Sequence, residues 1–203
     1  MSKQVFPTKS NLIATKKSLA LSSTGFNLLD KKRNILIREM MLLIEKFQDI
    51  RTTMSETFQN AYAALQKANI ELGVIDDIAA AVPIDENVSI RFKSVMGVDI
   101  PIVNYNNRSL TLSYGFFNTN SDLDYAYRCF HEVKKLTVIL AELENSIYRL
   151  ADAISKIQRR ANALKNVVIP DLEAKIKFIT DYLEEKEREE FFRLKVIKNR
   201  QDG

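Results

Sequence analysis

The sequence predicts a mainly all-α fold, in which a long antiparallel two-helix coiled coil carries a small central β-hairpin. Only 5 Gly and 4 Pro occur among 203 residues, so the residues that form turns are scarce. Neither type occurs in residues 26–72 or 116–169, whereas five fall within residues 73–115. The chain therefore divides into an N-terminal long helix (1–82), a central hairpin and loop region (83–115) and a C-terminal long helix (116–203).

The first arm carries a hydrophobic seam. Its apolar residues recur with a mean spacing of about 3.5 residues, which is the coiled-coil period rather than the 3.6 of a straight helix. Two successive four-residue steps around Met54 form a stutter, which predicts local unwinding of the supercoil. The seam consists of Leu36, Met40, Leu43, Phe47, Ile50, Met54, Phe58, Ala61, Leu65, Ala68, Leu72 and Ile75.

A second seam follows the C-terminal arm and continues past Pro170. Because Pro lacks an N–H, we expect a kink or interruption near Val167. Two long seams joined by a short centre pair most simply as antiparallel helices, which brings the two chain ends together. The second seam consists of Leu123, Ala126, Phe130, Val133, Leu136, Leu140, Leu143, Ile147, Leu150, Ile154, Ile157, Ala161, Leu164, Val168, Leu172, Ile176, Ile179 and Leu183.

The central region has a β pattern. Val88, Ile90 and Phe92 alternate with polar residues, which predicts a half-buried strand, and Val98, Ile100 and Ile102 alternate similarly. Pro101 confines the second strand to a sheet edge, and Gly97 is a turn or bulge candidate. A loop rich in Asn (104, 106 and 107) is followed by a third short alternating run at Leu110, Leu112 and Tyr114. The pattern leaves the register of the hairpin open.

Both chain ends are basic. Residues 1–33 hold seven basic side chains and one acidic, a net charge of +6, and residues 191–203 hold four and one, a net charge of +3. The net charge of the whole chain is +4, so residues 34–190 carry −5. Antiparallel pairing would place both basic ends at one positive tip.

The sequence is poor in groups for catalysis. It has one Cys (Cys129) and one His (His131), which excludes a disulfide framework and a Cys or His metal site and fits a reducing compartment. No glycine-rich phosphate loop occurs. The five carboxylates of residues 184–190 interleave with Lys and Arg, which indicates ion pairs on a helix surface. We therefore expect no catalytic residue, no cofactor and no metal, and no apolar run approaches the roughly 20 residues that span a bilayer.

The surface features favour contacts with other proteins. The adjacent Phe191 and Phe192, near the chain end, indicate burial against a partner. Two rival classes remain, a cytosolic coiled-coil scaffold and a helical hairpin that binds nucleic acid through Arg159, Arg160 and the basic N-terminal segment. Few aromatic residues interleave with those charges, which disfavours nucleic acid as a partner.

The terminal segments resemble the D subunit of the V-type and A-type rotary ATPases. At the start the resemblance covers residues 6–12 (FPTKSNL), Gly25 and residues 28–33 (LLDKKR). At the end it covers residues 159–164 (RRANAL), 168–173 (VIPDLE) and 183–195 (LEEKEREEFFRLK). The scaffold alternative gives no reason for this C-terminal signature.

The resemblance implies a non-catalytic rotor shaft on the cytoplasmic side of a membrane-bound complex, which couples ATP hydrolysis or synthesis to H⁺ or Na⁺ transport. The implied partners are the F subunit of the central stalk, the hexamer of catalytic A and B subunits, and a funnel-shaped subunit above the membrane ring; nucleic acid and direct membrane insertion are not expected. Combined with the charge pattern, it predicts hexamer contacts at Lys9, Lys16, Lys17, Phe191, Phe192, Arg193 and Lys195. Further contacts are predicted on the hairpin at Val88, Ile90, Phe92, Val98 and Ile100.

Overall fold

A computed structural model describes residues 6–83, 88–105, 114–115 and 119–201, with only the main chain for residues 200 and 201. Its elements are α1 (Lys9–Leu72), α2 (Asp76–Ala80), β1 (Val88–Val95), β2 (Val98–Tyr105), α3 (Ser121–Ala163) and α4 (Ile169–Gln201), with a π-helical segment (Leu164–Val168) between α3 and α4. Long helices with a central two-stranded hairpin confirm the predicted fold class. Residues 1–34 and 155–203 form one compact unit, and residues 35–154 form a second.

Helix α1 has a sequence signal at each end. Thr8 precedes it, and the Thr8 hydroxyl accepts a hydrogen bond from the Asn11 N–H at 3.2 Å, which is N-cap geometry. After Leu72 the chain turns at Gly73, whose φ of 78° is the left-handed conformation that ends many helices. Between these caps, 64 residues continue without a break.

The predicted first seam is confirmed by burial. Each of its members is buried or half-buried, and Leu36, Ala61 and Ala68 are fully covered. Ile75 lies beyond the end of α1 but still packs on a small core formed by Ala68, Tyr114 and Leu123. The seam therefore extends past the end of α1, because the residues that follow the helix still pack on this core.

Helix α3 is capped by Asn120. Its side-chain oxygen accepts the Leu123 N–H at 2.9 Å, and its amide nitrogen donates to Glu71 near the end of α1. The Asn120 side chain thus accepts from a free N–H at the start of α3 and also hydrogen-bonds α3 to α1. From Leu123 to Leu164 the predicted second seam is buried or half-buried.

The second seam changes at one position in the π-helical segment, and its predicted members beyond Pro170 are buried or half-buried: Leu172, Ile176, Ile179 and Leu183. Val168, predicted to lie on the seam, is 36% exposed, and Ile169 is half-buried instead. A π turn holds about one residue more than an α turn, so the step from Leu164 becomes five residues rather than four. Pro170 explains the position of this change, because it cannot donate the next hydrogen bond of the helix and its ring crowds the preceding turn.

Within each unit the paired helices run antiparallel. In the first unit, Arg33 donates to Gln158 at 2.7 Å, and Phe26, seven residues earlier, lies under Lys165, seven residues later. In the second unit, the rings of Tyr62 and Phe130 meet edge to face, with centroids 5.6 Å apart, and Glu71, nine residues later on α1, accepts from Asn120, ten residues earlier than Phe130. In the first unit the two contacts are seven residues apart on each helix, which is the spacing expected of a coiled coil.

The hairpin has one register. Val95 pairs with Val98 across a two-residue turn, and Phe92 pairs with Pro101. Met96 and Gly97 form that turn with φ of 51° and 76°, which is the backbone of a tight hairpin turn. The prediction of a turn at Gly97 is therefore confirmed. The predicted third run lies mainly at residues 110–112, outside the described residues.

Candidate partner-binding surfaces

The predicted basic contact residues lie on exposed helix surface. Lys16, Lys17 and Lys195 are exposed. Lys9 pairs with Glu187 at 2.9 Å, and this hydrogen bond raises the pKa of the Lys9 ammonium. The ion pair brings the start of α1 beside the acidic run of α4, so negative charge lies next to the basic tip.

The acidic run forms helix-surface ion pairs as predicted. Glu185 lies 3.8 Å from Arg188, and Glu189 lies 3.9 Å from Arg193. Each pair is well exposed, so each contributes little to stability. Arg193, a predicted hexamer contact, therefore remains largely exposed to solvent.

The end of α4 displays apolar side chains to solvent. Phe191 and Phe192 are 67% and 66% exposed, although full burial of such a ring is worth about 1.5–3 kcal/mol. Helix α1 begins at Lys9, opposite Glu187, so these rings lie beyond its reach. The apolar side chains exposed on this turn and the next are Phe191, Phe192, Leu194, Val196 and Ile197.

Strand β2 lies along α3. The Val103 N–H donates to Glu142 at 2.8 Å, Ser146 donates to the Pro101 carbonyl at 3.4 Å, and Arg149 donates to the Asp99 carbonyl at 3.1 Å. Alternate residues of an edge strand point their polar main-chain groups outward. Helix α3 therefore covers the outer edge of β2 with three side chains, which bind the outward groups of Asp99, Pro101 and Val103.

The predicted burial of β1 is wrong. Val88, Ile90 and Phe92 were expected on a half-buried face, but all three are exposed, Ile90 at 60% and Phe92 at 61%. In the observed register they share a face with Pro101, Val103 and Tyr105, whereas Val98 and Ile100 share the other face with Val95 and Lys93. The β2 half of the sheet packs on α3, whereas β1 lies farther out, with Arg149 of α3 over the Phe92 ring at 5.2 Å from its centroid. Val98 and Ile100 are half-buried.

Further apolar side chains that belong to neither predicted seam are exposed. They lie on the helices but off the seam phase, which is the signal that could have identified them. The most exposed of them are Ile70, Leu21, Tyr148, Val167, Leu28 and Tyr125.

The second unit also contains an apolar cavity of about 400 Å³, lined by side chains from the end of α1, α2 and α3. His131 and Lys134 are the basic residues of its lining.

Cys129, half-buried on α3, is hydrogen-bonded to Tyr125, and this bond raises the pKa of the Tyr125 hydroxyl. No group of three metal-binding side chains occurs in the parts of the chain that the structure describes. Among the described helices, none has the length and apolarity needed to cross a bilayer.

Two long paired helices, apolar side chains exposed at the end of α4 and an appended hairpin define a coiled-coil protein. Comparison with known proteins narrows this class. The family model that describes the D subunit of ATP synthase matches residues 11–199. The D subunit of the V-type ATP synthase of Thermotoga neapolitana is 41% identical over 198 residues, which cover 97% of this chain and 98% of the relative.

Archaeal relatives match over similar lengths. The D subunit of the A-type ATP synthase of Methanosphaera stadtmanae is 37% identical, covering 97% of this chain and 94% of the relative. That of Pyrococcus abyssi is 34% identical, covering 96% and 94%. The chain therefore belongs to the family of ATP synthase D subunits. As a member it is a non-catalytic component of an ATP synthase complex.

Proposed function

We propose that the chain is the rotor shaft of the central stalk in a V/A-type ATP synthase or ATPase. It would transmit torque between ATP turnover in the catalytic hexamer and ion movement through the membrane ring. The exposed apolar end of α4 carries this proposal, because residues 191–197 extend beyond α1 and present apolar surface to a partner. Membership in the family of D subunits supports it.

The paired helices suit torque transmission. A single helix bends readily, whereas two helices whose seams interlock share the load and resist sliding. Unlike faces around the shaft would stabilise different conformations of the three catalytic sites through differential contacts. The shaft itself would supply no catalytic group.

The proposed partners occupy different parts of the chain. The paired terminal segments would enter the hexamer of A and B subunits, the F subunit would pack beside the coil, and the central region would seat in the funnel-shaped subunit above the membrane ring. The complex would hold the chain on the cytoplasmic side of the membrane. The coupling ion, H⁺ or Na⁺, would be chosen by the membrane subunits.

Removing the aromatic pair tests the proposed contact with the hexamer. In the variant Phe191→Ser/Phe192→Ser, loss of two burying rings should weaken binding of the shaft to purified hexamer by about a hundredfold or more. The affinity is measured by titrating labelled shaft with hexamer.

The matched control is Tyr148→Ser, because Tyr148 is a well-exposed aromatic of the second unit. This variant should bind the hexamer as the parent does. Parental affinity of the Phe191→Ser/Phe192→Ser variant would contradict insertion of this end of α4 into the hexamer.

A further inference from the structure

The two edges of the hairpin differ. Ladder hydrogen bonds join Val95 and Val98, which flank the two-residue turn, and every second pair beyond them, so the pair of Phe92 with Pro101, which has no N–H, lacks them, as do alternate pairs along the hairpin. The main-chain polar groups of Val88, Ile90, Phe92 and Ser94 therefore point away from β2. They form a row along the outer edge of β1.

The outer edge of β2 is protected. Three of its outward groups are hydrogen-bonded by Glu142, Ser146 and Arg149, and Pro101 removes one donor. Proteins protect edge strands in these ways because unpaired main-chain groups invite another strand.

The outer edge of β1 has no such cover from the residues described at 6–83, 88–105, 114–115 and 119–201. No hydrogen bond from these residues reaches its outward groups. The strand contains no Pro and no bulge, pairs over eight residues, and seven of the eight are exposed. An exposed strand of this length is a template for main-chain pairing.

The side chains of β1 indicate the chemistry of the strand that fits. One face presents Val88, Ile90 and Phe92, and the other presents Arg91 and Lys93 without any acidic residue of β1. Cross-strand neighbours share a face, and like charges placed opposite each other are destabilising. Two β1 strands from separate copies would bring their Arg91 and Lys93 side chains together, which disfavours self-pairing.

We propose that the outer edge of β1 binds an extended strand of a partner protein in which apolar and acidic residues alternate. The partner strand would pair with the main chain of Ile90, Phe92 and Ser94. Its apolar side chains would cover Ile90 and Phe92, and its acidic side chains would meet Arg91 and Lys93. This site requires only the hairpin, so it does not depend on whether the chain rotates.

Residue-specific amide hydrogen exchange of the full chain tests the site. In the free protein, the inward amides of Arg91, Lys93 and Val95 should exchange slowly, and the outward amides of Ile90, Phe92 and Ser94 should exchange fast. A capped eight-residue peptide of alternating Val and Glu, at millimolar concentration, should slow the outward amides by about tenfold. A peptide of alternating Val and Lys should leave them unchanged.

The variant Ile90→Pro removes one outward donor without touching the ladder to β2, as Pro101 does on the other strand. It should abolish protection of Phe92 and Ser94 by the acidic peptide, whereas Ile90→Ala should retain most of it. Slow exchange at Lys93 and Val95 shows that the hairpin of each variant is folded. If Ile90→Pro unfolds the hairpin, Ser94→Pro provides the same test.

Three results would overturn the proposal. The outward amides could stay fast with the acidic peptide, or both peptides could slow them equally. They could also be protected already in the free protein. In that case protection lost on dilution would assign the edge to a second copy of the chain, and protection that survives dilution would assign it to a contact within the chain.

Discussion

The hydroxyl of Tyr114 donates a hydrogen bond to Asp124 at 2.5 Å, beside the core of Ala68 and Leu123. Burial is the main cause that raises the pKa of the Tyr114 hydroxyl, and the bond to Asp124 adds to it. The folded chain therefore holds this proton to a higher pH than the unfolded chain. Its contribution to stability is present below about pH 10, where the unfolded tyrosine titrates, and is lost as the pH rises toward the raised pKa of the folded state.

The variant Tyr114→Phe should lower the free energy of unfolding at neutral pH by about 1–2 kcal/mol, because Asp124 loses its donor. It should also reduce the loss of stability that the parent shows above about pH 10. Urea unfolding followed by circular dichroism at both pH values measures these changes. Tyr148→Phe, at an exposed position, should match the parent at both; equal effects of the two variants would show that the bond to Asp124 has no energetic role.

At the scale of the element, the seam on α1 was predictable because a hydrophobic period is a local property of the sequence. Every predicted member, from Leu36 to Ile75, is buried or half-buried. The change of the buried seam position from Val168 to Ile169 was not predictable. Pro170 indicates that the helix is interrupted, but it does not indicate whether the helix kinks or forms a π turn with one extra residue. The exposure of Ile90 was not predictable either, since it depends on which strand packs against α3. The contacts predicted for Lys16 and Phe191 stay predictions, since they require a partner.

The π-helical segment yields a prediction at adjacent residues. Ile169→Ala should lower the free energy of unfolding by about 1–2 kcal/mol, because it truncates a half-buried seam residue, whereas Val168→Ala should cost no more than about 0.5 kcal/mol. Urea unfolding of both variants measures the difference. A larger cost for Val168→Ala would show that the seam continues in α-helical phase through this segment.

The hairpin is a second element with a testable role. It contacts α3 through side chains that cover a strand edge, and it contributes nothing to either predicted seam. Replacing residues 88–105 by a short Gly/Ser linker should therefore leave helicity and assembly nearly intact while changing ATP turnover of the assembled complex. The companion variant Ser146→Ala/Arg149→Ala releases the hairpin from α3 without deleting it. Collapse of the helical circular dichroism signal on deletion would instead identify the hairpin as a clamp that holds the helices together.

At the scale of the whole molecule, charge at the chain ends should tune docking. Lys16, Lys17, Arg193 and Lys195 are exposed, and long basic side chains make solvated contacts that can be exchanged between successive members of a ring. Neutralising any one of them should have little effect, because an exposed pair is worth about 0–1 kcal/mol. Neutralising all four should weaken binding to the hexamer at low salt, with convergence to the parent at high salt.

The binding series across ionic strength needs a control with the same change in net charge. Neutralising the exposed Lys46, Arg51, Lys67 and Arg128, all in the second unit, provides it. If the two quadruple variants weaken hexamer binding equally, the net charge of the chain, rather than the position of basic residues at its ends, sets the affinity.

Rotation of the chain within the hexamer can be observed in a single-molecule assay. In a Cys129→Ser background, Ser89→Cys on the exposed face of the hairpin carries a bead, while the hexamer is fixed to a surface. The bead should turn in one direction while ATP is hydrolysed, and it should stop when a reversible crosslink joins the end of α4 to the hexamer. ATP hydrolysis at the normal rate with a stationary bead, or hydrolysis unaffected by the crosslink, would contradict rotation of the chain.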